Sequence, residues 1–244
     1  YNDLYSDFLD GNEYLCKVYK AIQDDGSILW EEKFSSDFFA SRKEAMGSIF
    51  FGSQYLNDPV PEGSSYFKRE WLGKYDVLPS SLRYYIGVDP AISMSKSSDF
   101  TALVVLGVDV VGRMYVVEYL RRKMNVSDIV KLVISKYMQY RPIAIAIEAL
   151  AFQRALSQAL MQAGNYPVIE IKSHEKSKED RINGLSPFFE SGKLVMGKNQ
   201  TELEDELLRF PRAKHDDIAD ALEMSVSIVD RKAIKPWISN KSIW

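Results

Sequence analysis

The chain has 244 residues, of which 46% are hydrophobic and 27% charged, a composition typical of a globular protein with a full core. Its formal net charge of −3 at pH 7 excludes a generally basic nucleic-acid binder, so any contact with nucleic acid must come from a local basic patch. The single cysteine, Cys16, excludes an internal disulfide, and no apolar run approaches the length of a membrane span. We therefore expect a cytoplasmic protein that is not secreted and has no membrane partner.

Residues 1–65 differ from the rest of the chain and are predicted to be a linker or the end of an upstream domain. They are rich in aromatic residues, with a predicted strand over residues 14–22 and helical spacing from residue 36 to about residue 55. The turn-forming stretch NDPVPEGSS at residues 57–65 favours a boundary, so the main domain is predicted to begin at residue 66. Because the chain begins at Tyr1 without a signal-peptide pattern, we expect it to be part of a longer polypeptide.

Apolar runs from residue 84 onward predict the first strands of a sheet. The run YYIGVD at residues 84–89 is rich in β-branched and aromatic residues and is closed by Pro90, so it delivers Asp89 at the end of a strand. Further strands are predicted over residues 101–108 and 114–119. Their short connections favour an antiparallel three-strand meander.

The second half of the chain alternates between helices and strands. Almost continuous apolar character over residues 143–147 predicts a strand that is covered on both faces and is followed by Glu148. The remaining predicted elements are helices at 125–140, 152–163, 177–191, 202–208 and 216–229, and strands at 168–171 and 193–196. A meander followed by this alternation resembles the layout of an RNase H-like α/β fold, a mixed sheet flanked by helices.

Acidic residues from three separated segments are predicted to meet at one end of this sheet. They close the first and fourth strands and open the last helix: Asp89, Glu148, Asp216, Asp217 and Asp220. A carboxylate beside a buried run costs free energy unless it is paired, hydrogen-bonded or bound to a metal. Converging oxygen ligands suit Mg²⁺ or Mn²⁺. We therefore predict all five as metal ligands, and all except Asp220 as catalytic.

Each acid also has an ordinary interpretation that the sequence leaves open. Asp89 precedes a proline and could cap a turn, and Glu148 could pair with a surface lysine. Asp216 and Asp217 could be favoured by the dipole at a helix N-terminus. The set of three segments favours a metal site more strongly than any single residue does.

The helical phase of the last helix separates its three aspartates. With a core stripe through Ile218 and Leu222, Asp217 falls on the flank of the buried face and Asp216 points nearly opposite. Asp220 lies farther round toward solvent, so it is predicted to be an accessory ligand. Asp217 is therefore favoured as the main ligand, although Asp216 could turn inward as a cap.

Basic residues near the acids are predicted to contact the phosphates of DNA without reading its sequence: Lys172, Lys176, Lys178, Arg181, Arg212 and Lys214. The stretch IKSHEKSKEDR at residues 171–181 also suits a solvated helix face. Asp99 and His215 are predicted to support the metal ligands. No GxxxxGK[ST] loop and no zinc-ligand spacing occurs, so we expect no P-loop ATP hydrolysis by this chain.

Four stretches carry a resemblance to a known family: GVDPA with Asp99-Phe100-Thr101-Ala102, IEALAFQRALSQAL, KSKEDRINGLSPFFESGKL and KHDDIADAL. Over residues 84–230 they resemble the C-terminal nuclease domain of tailed-bacteriophage large terminase subunits. The resemblance implies a metal-dependent endonuclease that cuts concatemeric double-stranded phage DNA by two-metal-ion hydrolysis.

The same resemblance implies a domain organisation and partners. Residues 1–65 would link to an upstream ATPase domain, residues 66–230 would form the nuclease, and residues 231–244 would be a C-terminal tail. The tail, with Trp237 and Trp244, is similar in position to the region that docks on the portal. The implied partners are double-stranded DNA, the terminase small subunit and the portal protein, in the cytoplasm of a bacterial host.

Other functions remain open from the sequence. Holliday junction resolvases share the fold, and their last helix resembles DIADAL at residues 217–222. Actin-like kinases and ATPases also open with a strand ending in Gly-x-Asp, but residues 91–94 offer no glycine-rich phosphate hairpin. A docking module of a packaging complex that does not catalyse a reaction is the third alternative.

Overall fold

The computed structural model describes residues 15–59, 64–90, 100–148, 156, 158–160, 162–171 and 177–229. The predicted site residues Asp99, Lys172 and Lys176 lie outside these ranges, as does the tail at residues 231–244. In the ranges that are described, no helix is both long and apolar enough to cross a membrane.

One mixed sheet of seven strands organises the chain. The strands are β1 (Lys74–Tyr75), β2 (Arg83–Asp89), β3 (Thr101–Val108), β4 (Met114–Arg122), β5 (Ala144–Glu148), β6 (Val168–Ile171) and β7 (Leu194–Gly197). Their spatial order is β1-β7-β4-β3-β2-β5-β6. The meander β2-β3-β4 is antiparallel and every other pairing is parallel. The predicted RNase H-like mixed sheet is therefore confirmed.

Helices flank the sheet on both faces. They are α1 (Ser36–Tyr55), α2 (Val126–Tyr140), α3 (Lys178–Asn183), α4 (Ser186–Glu190), α5 (Thr201–Arg209) and α6 (Asp217–Ser227). Residues 158–160 and 162–163 are also helical.

Two predicted elements differ from the structure, and one strand was not predicted. The helix predicted over residues 177–191 is two short helices, α3 and α4: α3 ends at Asn183 with Gly184 as its C-cap, and α4 starts at Ser186 with Pro187, which has no N–H to donate to the preceding turn, at its beginning. The strand predicted over residues 14–22 is wrong for its described part, where an isolated bridge between Ile22 and Ile28 is the only sheet-like pairing. Strand β1 was not anticipated, since two residues are too few to show a period.

The core consists of two hydrophobic clusters, one on each face of the sheet. Alternate residues of β2 point to opposite faces, so Ile86 packs with α2 while Tyr85 packs with α6. All eight residues of β3 are buried, because both faces of this strand are covered. Helix α6 lies across β2 and β3 and carries the last acidic segment onto the sheet.

Helix α1 is attached to the sheet domain through α4. Gly47 interrupts α1 with a φ of 77°, and the next backbone N–H, that of Ser48, donates to Glu190 Oε2 at 2.8 Å. Lys193 Nζ lies 2.9 Å from Glu44 Oε1 beside it. Phe67 and Leu72 already belong to the main cluster, while the predicted boundary at residue 66 stays a prediction.

Candidate active site

The ends of two neighbouring parallel strands place the first two predicted ligands side by side. Strands β2 and β5 are paired in parallel, with Val88 opposite Ile147. The next residue on each strand is Asp89 on β2 and Glu148 on β5. Both side chains are partly exposed, as expected at the carboxyl edge of a sheet whose interior is buried.

A glycine brings the last helix to the same edge. Gly87 lies two residues before Asp89, and a Cβ on it would overlap the carbonyl oxygen of Ala221 on α6. The missing side chain therefore allows the helix backbone to rest directly on β2. This close approach carries Asp217 and Asp220, at the start of α6, toward the end of β2.

The acids act on one another electrostatically. Burial raises the pKa of Asp89 well above its usual range, and the negative charges of Asp220, Asp217 and Glu148 raise it further. Lys178 opposes the shift. A carboxyl group in this position gains free energy from any cation that reaches it.

Asp217 is the aspartate of α6 that has a buried carboxylate oxygen without a hydrogen-bond partner. Its side chain is 17% exposed, and its buried Oδ2 has no hydrogen-bond partner. His215 Nδ1 lies 3.8 Å from that oxygen, and the ring of Phe100 packs edge-on against His215. Burial raises the pKa of Asp217, with Lys178 opposing and Asp216 adding to the shift. An orphaned buried carboxylate oxygen is the feature that a bound cation would explain.

Asp216 takes a different role from Asp217. It occupies the N-cap position of α6 but makes no capping hydrogen bond with its side chain. Instead, its Oδ1 accepts a hydrogen bond from Lys178 Nζ at 2.9 Å, and the side chain is 36% exposed.

The expectation that Asp220 points toward solvent is wrong. Asp220 is 3% exposed because α3 packs against α6 and its basic side chains cover the carboxylate. Arg181 Nη1 lies 2.6 Å from Asp220 Oδ1, and Lys178 Nζ lies 3.3 Å from Oδ2. Arg181 also reaches Glu223 at 2.8 Å.

The predicted phosphate contacts therefore occupy two kinds of position. Arg181 is 9% exposed and bonded to two carboxylates, so contact with a phosphate would require it to leave them. Lys178 is 40% exposed at the border of the acidic site. Burial lowers the pKa of Lys178, but the charges of Asp220 and Asp216 outweigh this and raise it overall. Arg212 and Lys214 are exposed just before α6.

The carboxylate oxygens of the site suit a hard divalent cation, although ion pairs within the protein already engage some of them. Among the described residues, no group of three or more His, Cys, Asp or Glu side chains has a geometry that could hold a metal ion. Lys178 supplies positive charge to Asp216 and Asp220 instead. The orphaned Asp217 oxygen and the raised pKa of Asp89 still fit an Mg²⁺ or Mn²⁺ ion.

Two charged residues that hold the start of α6 were not predicted from the sequence. Glu206 on α5 accepts hydrogen bonds from the backbone N–H groups of Ile218 and Ala219 in the first turn of α6. Arg121 on β4 donates a hydrogen bond to the same carboxylate. One signal was present: Glu206 lies beside Leu207 and three residues after Leu203, on the apolar face of a helix. A buried acid there requires a partner.

A comparison with known families gives one match. The family model of the Terminase RNaseH-like domain matches residues 86–227, which is more than half of the chain. No curated protein matches the chain. The matched range begins in β2, spans Asp89 and Glu148, and ends at the last residue of α6.

Solved structures of large terminases share the fold. The large terminase of a thermophilic bacteriophage, in complex with ADP, is 14% identical, with a TM-score of 0.62 over 81% of this chain and 53% of that one. The large terminase of bacteriophage HK97 is 16% identical, with a TM-score of 0.53 over 87% of this chain and 56% of that one. This chain thus spans about half the length of either protein.

A separate nuclease domain is covered almost entirely. The large terminase nuclease from the thermophilic phage G20c, with bound magnesium, is 18% identical, with a TM-score of 0.53 over 68% of this chain and 98% of that one. The four stretches with a terminase-like sequence, the sheet order and the family match agree with one another. The chain belongs to the Terminase RNaseH-like domain family.

Proposed function

We propose that this chain is the nuclease part of a phage large terminase, an endonuclease that cuts concatemeric double-stranded DNA during genome packaging. The proposal is supported by two observations: the charges of Asp220, Asp217 and Glu148 all act on Asp89 at the end of β2, and a buried Asp217 oxygen has no hydrogen-bond partner. The family match and the magnesium in the G20c nuclease support this interpretation.

The residues that would hold Mg²⁺ or Mn²⁺ are Asp89, Glu148 and Asp217, with Asp216 and Asp220 as further candidates. Two such ions, when bound, supply an activated water and stabilise the negative charge of the leaving 3′ oxygen. Burial and the neighbouring acids raise the pKa of Asp89, so a bound cation would favour its charged form.

Basic side chains would hold the DNA beside the acids. Lys178 pairs with Asp216 at the rim and is exposed enough to exchange a carboxylate for a phosphate. Arg212 and Lys214 are proposed to continue the contact along the backbone, together with Lys172 and Lys176. Arg181 would instead keep Asp220 in place from α3. The terminase small subunit and the portal protein are proposed partners of the longer polypeptide.

The test is cleavage of supercoiled plasmid in the presence of Mg²⁺ or Mn²⁺, with and without excess EDTA. We expect nicking and linearisation that require the cation and disappear in Asp89→Asn. A four-way junction in the same assay examines the resolvase alternative, which predicts preferential cutting of the junction. Cleavage that persists in excess EDTA would overturn the metal mechanism, and no cleavage under any condition would favour the docking module.

A further inference from the structure

We propose that Glu206 is a positioning residue that caps α6 from a different helix and so fixes the ligand aspartates on it. The inference rests on the proposed function insofar as Asp217 is taken as a metal ligand. Glu206 itself lies on α5 and contacts none of the proposed ligands through its side-chain hydrogen bonds, which go to the backbone of α6 and to Arg121.

The first turn of α6 needs an external cap. The first N–H groups of any helix have no partner within the helix, and a side chain at the N-cap position usually accepts one of them. Asp216 holds that position in α6 but makes no capping hydrogen bond. Its carboxylate is bonded to Lys178.

Glu206 supplies the missing acceptor. One of its oxygens, Oε2, accepts hydrogen bonds from the N–H groups of Ile218 and Ala219, each at 3.0 Å. These two residues lie between Asp217 and Asp220 in the sequence. The two bonds therefore fix the height and rotation of the turn from which both aspartates project.

The second oxygen of Glu206 is anchored to the sheet. Arg121 Nη1 lies 2.5 Å from Glu206 Oε1, and the two side chains are 16% and 5% exposed. Arg121 belongs to β4 and also lies 3.6 Å from Glu202, one turn before Glu206 on α5. The start of α6 is thus linked to the sheet by a chain of bonds that runs through β4 and α5.

The same helix offers a matched control. Glu204 is 8% exposed and forms ion pairs of 2.5 Å with both Arg69 and Lys74. Its ion pairs go to residues that precede β2 and not to the first turn of α6. Glu204→Ala and Glu206→Ala therefore each remove a buried, paired carboxylate from α5, and only the second removes the cap.

The experiment measures amide hydrogen exchange in the metal-free 244-residue chain. In Glu206→Ala, we expect the amides of Ile218 and Ala219 to exchange about tenfold faster or more, because each loses its hydrogen-bond acceptor. Glu206→Gln keeps an oxygen acceptor and should retain most of the protection. Glu204→Ala should leave exchange in this turn unchanged, even where it lowers the melting temperature.

A second readout follows the consequence for the site. The Mn²⁺ concentration that gives half-maximal plasmid cleavage should rise in Glu206→Ala, partly recover in Glu206→Gln, and stay parental in Glu204→Ala. Because exchange is measured without metal or DNA, it tests the cap even if the parental chain proves not to cleave. Unchanged exchange at Ile218 and Ala219 in both Glu206 variants, or an equal acceleration in Glu204→Ala, would overturn the proposal.

Discussion

Gly87 of β2 and Ala221 of α6 are in backbone contact, so close that a Cβ on Gly87 would overlap the Ala221 carbonyl oxygen. The same Cβ would also lie 2.8 Å from the backbone nitrogen of Ser225. This contact is the geometric reason why the acids at the start of α6 reach the end of β2. Helix α6 can therefore lie this close to β2 because Gly87 has no side chain.

Gly87→Ala should therefore displace α6. We expect a loss of about 3 kcal/mol in the free energy of unfolding, since the added methyl group meets backbone that cannot rotate away. Cleavage should fall more than the stability loss explains, because Asp217 moves with the helix. Urea denaturation and a plasmid assay measure both effects. In the control Gly52→Ala, the new Cβ would lie 3.6 Å from the nearest atom, and stability should be unchanged or higher.

Asp220→Asn should lower the stability of the protein more than Asp216→Asn, because Asp220 is buried in an ion pair. The side chains of Asp220 and Arg181 are 5% and 9% exposed, so removing the charge of one leaves the other buried with less compensation. We expect a loss of up to about 3 kcal/mol, moderated because Glu223 still pairs with Arg181. Asp216→Asn removes a half-exposed pair and should change the melting temperature little. Equal melting temperatures for the two variants would contradict this assignment.

The stability of the metal-free protein should depend on pH through Asp89. Its pKa is higher in the folded than in the unfolded state, so the folded protein binds the extra proton. The protonated Asp89 therefore contributes to the free energy of unfolding at low pH. This contribution is lost as the pH rises from the ordinary pKa of an aspartate through the raised pKa of Asp89. Asp89→Asn should flatten that part of the curve of melting temperature against pH. An identical curve in the variant would show that Asp89 does not carry the shift.

DNA affinity should depend on the exposed basic residues before α6. Arg212→Ala combined with Lys214→Ala is expected to reduce the slope of log affinity against log salt by about two units, one per lost phosphate contact. The effect should be similar for unrelated DNA sequences, since such contacts do not read bases. Lys131→Ala on α2, on the opposite face of the sheet from α6, provides the control. A double variant with the parental slope would remove these two residues from the DNA surface.

The sequence predicted the strands and the acids that end them, because a buried strand shows as an apolar run and its last residue can be read directly. Asp89 and Glu148 were found in this way, and the phase of α6 also pointed to Asp217. Phase within one helix cannot reveal a second helix that covers it, so the burial of Asp220 beneath Arg181 was missed. Glu206 was missed because it caps α6, a helix that begins only after α5 has ended.

Asp217, and not its neighbour Asp216, is proposed to hold the cation used for DNA cleavage. The most direct test measures plasmid cleavage rate against Mn²⁺ concentration for Asp217→Asn and Asp216→Asn beside the parental chain. Both substitutions keep the shape of the side chain and remove its charge. We predict that Asp217→Asn abolishes cleavage at every Mn²⁺ concentration, whereas Asp216→Asn cleaves more weakly. Parental cleavage by Asp217→Asn, with Asp216→Asn inactive, would contradict the account and move the ligand to the N-cap.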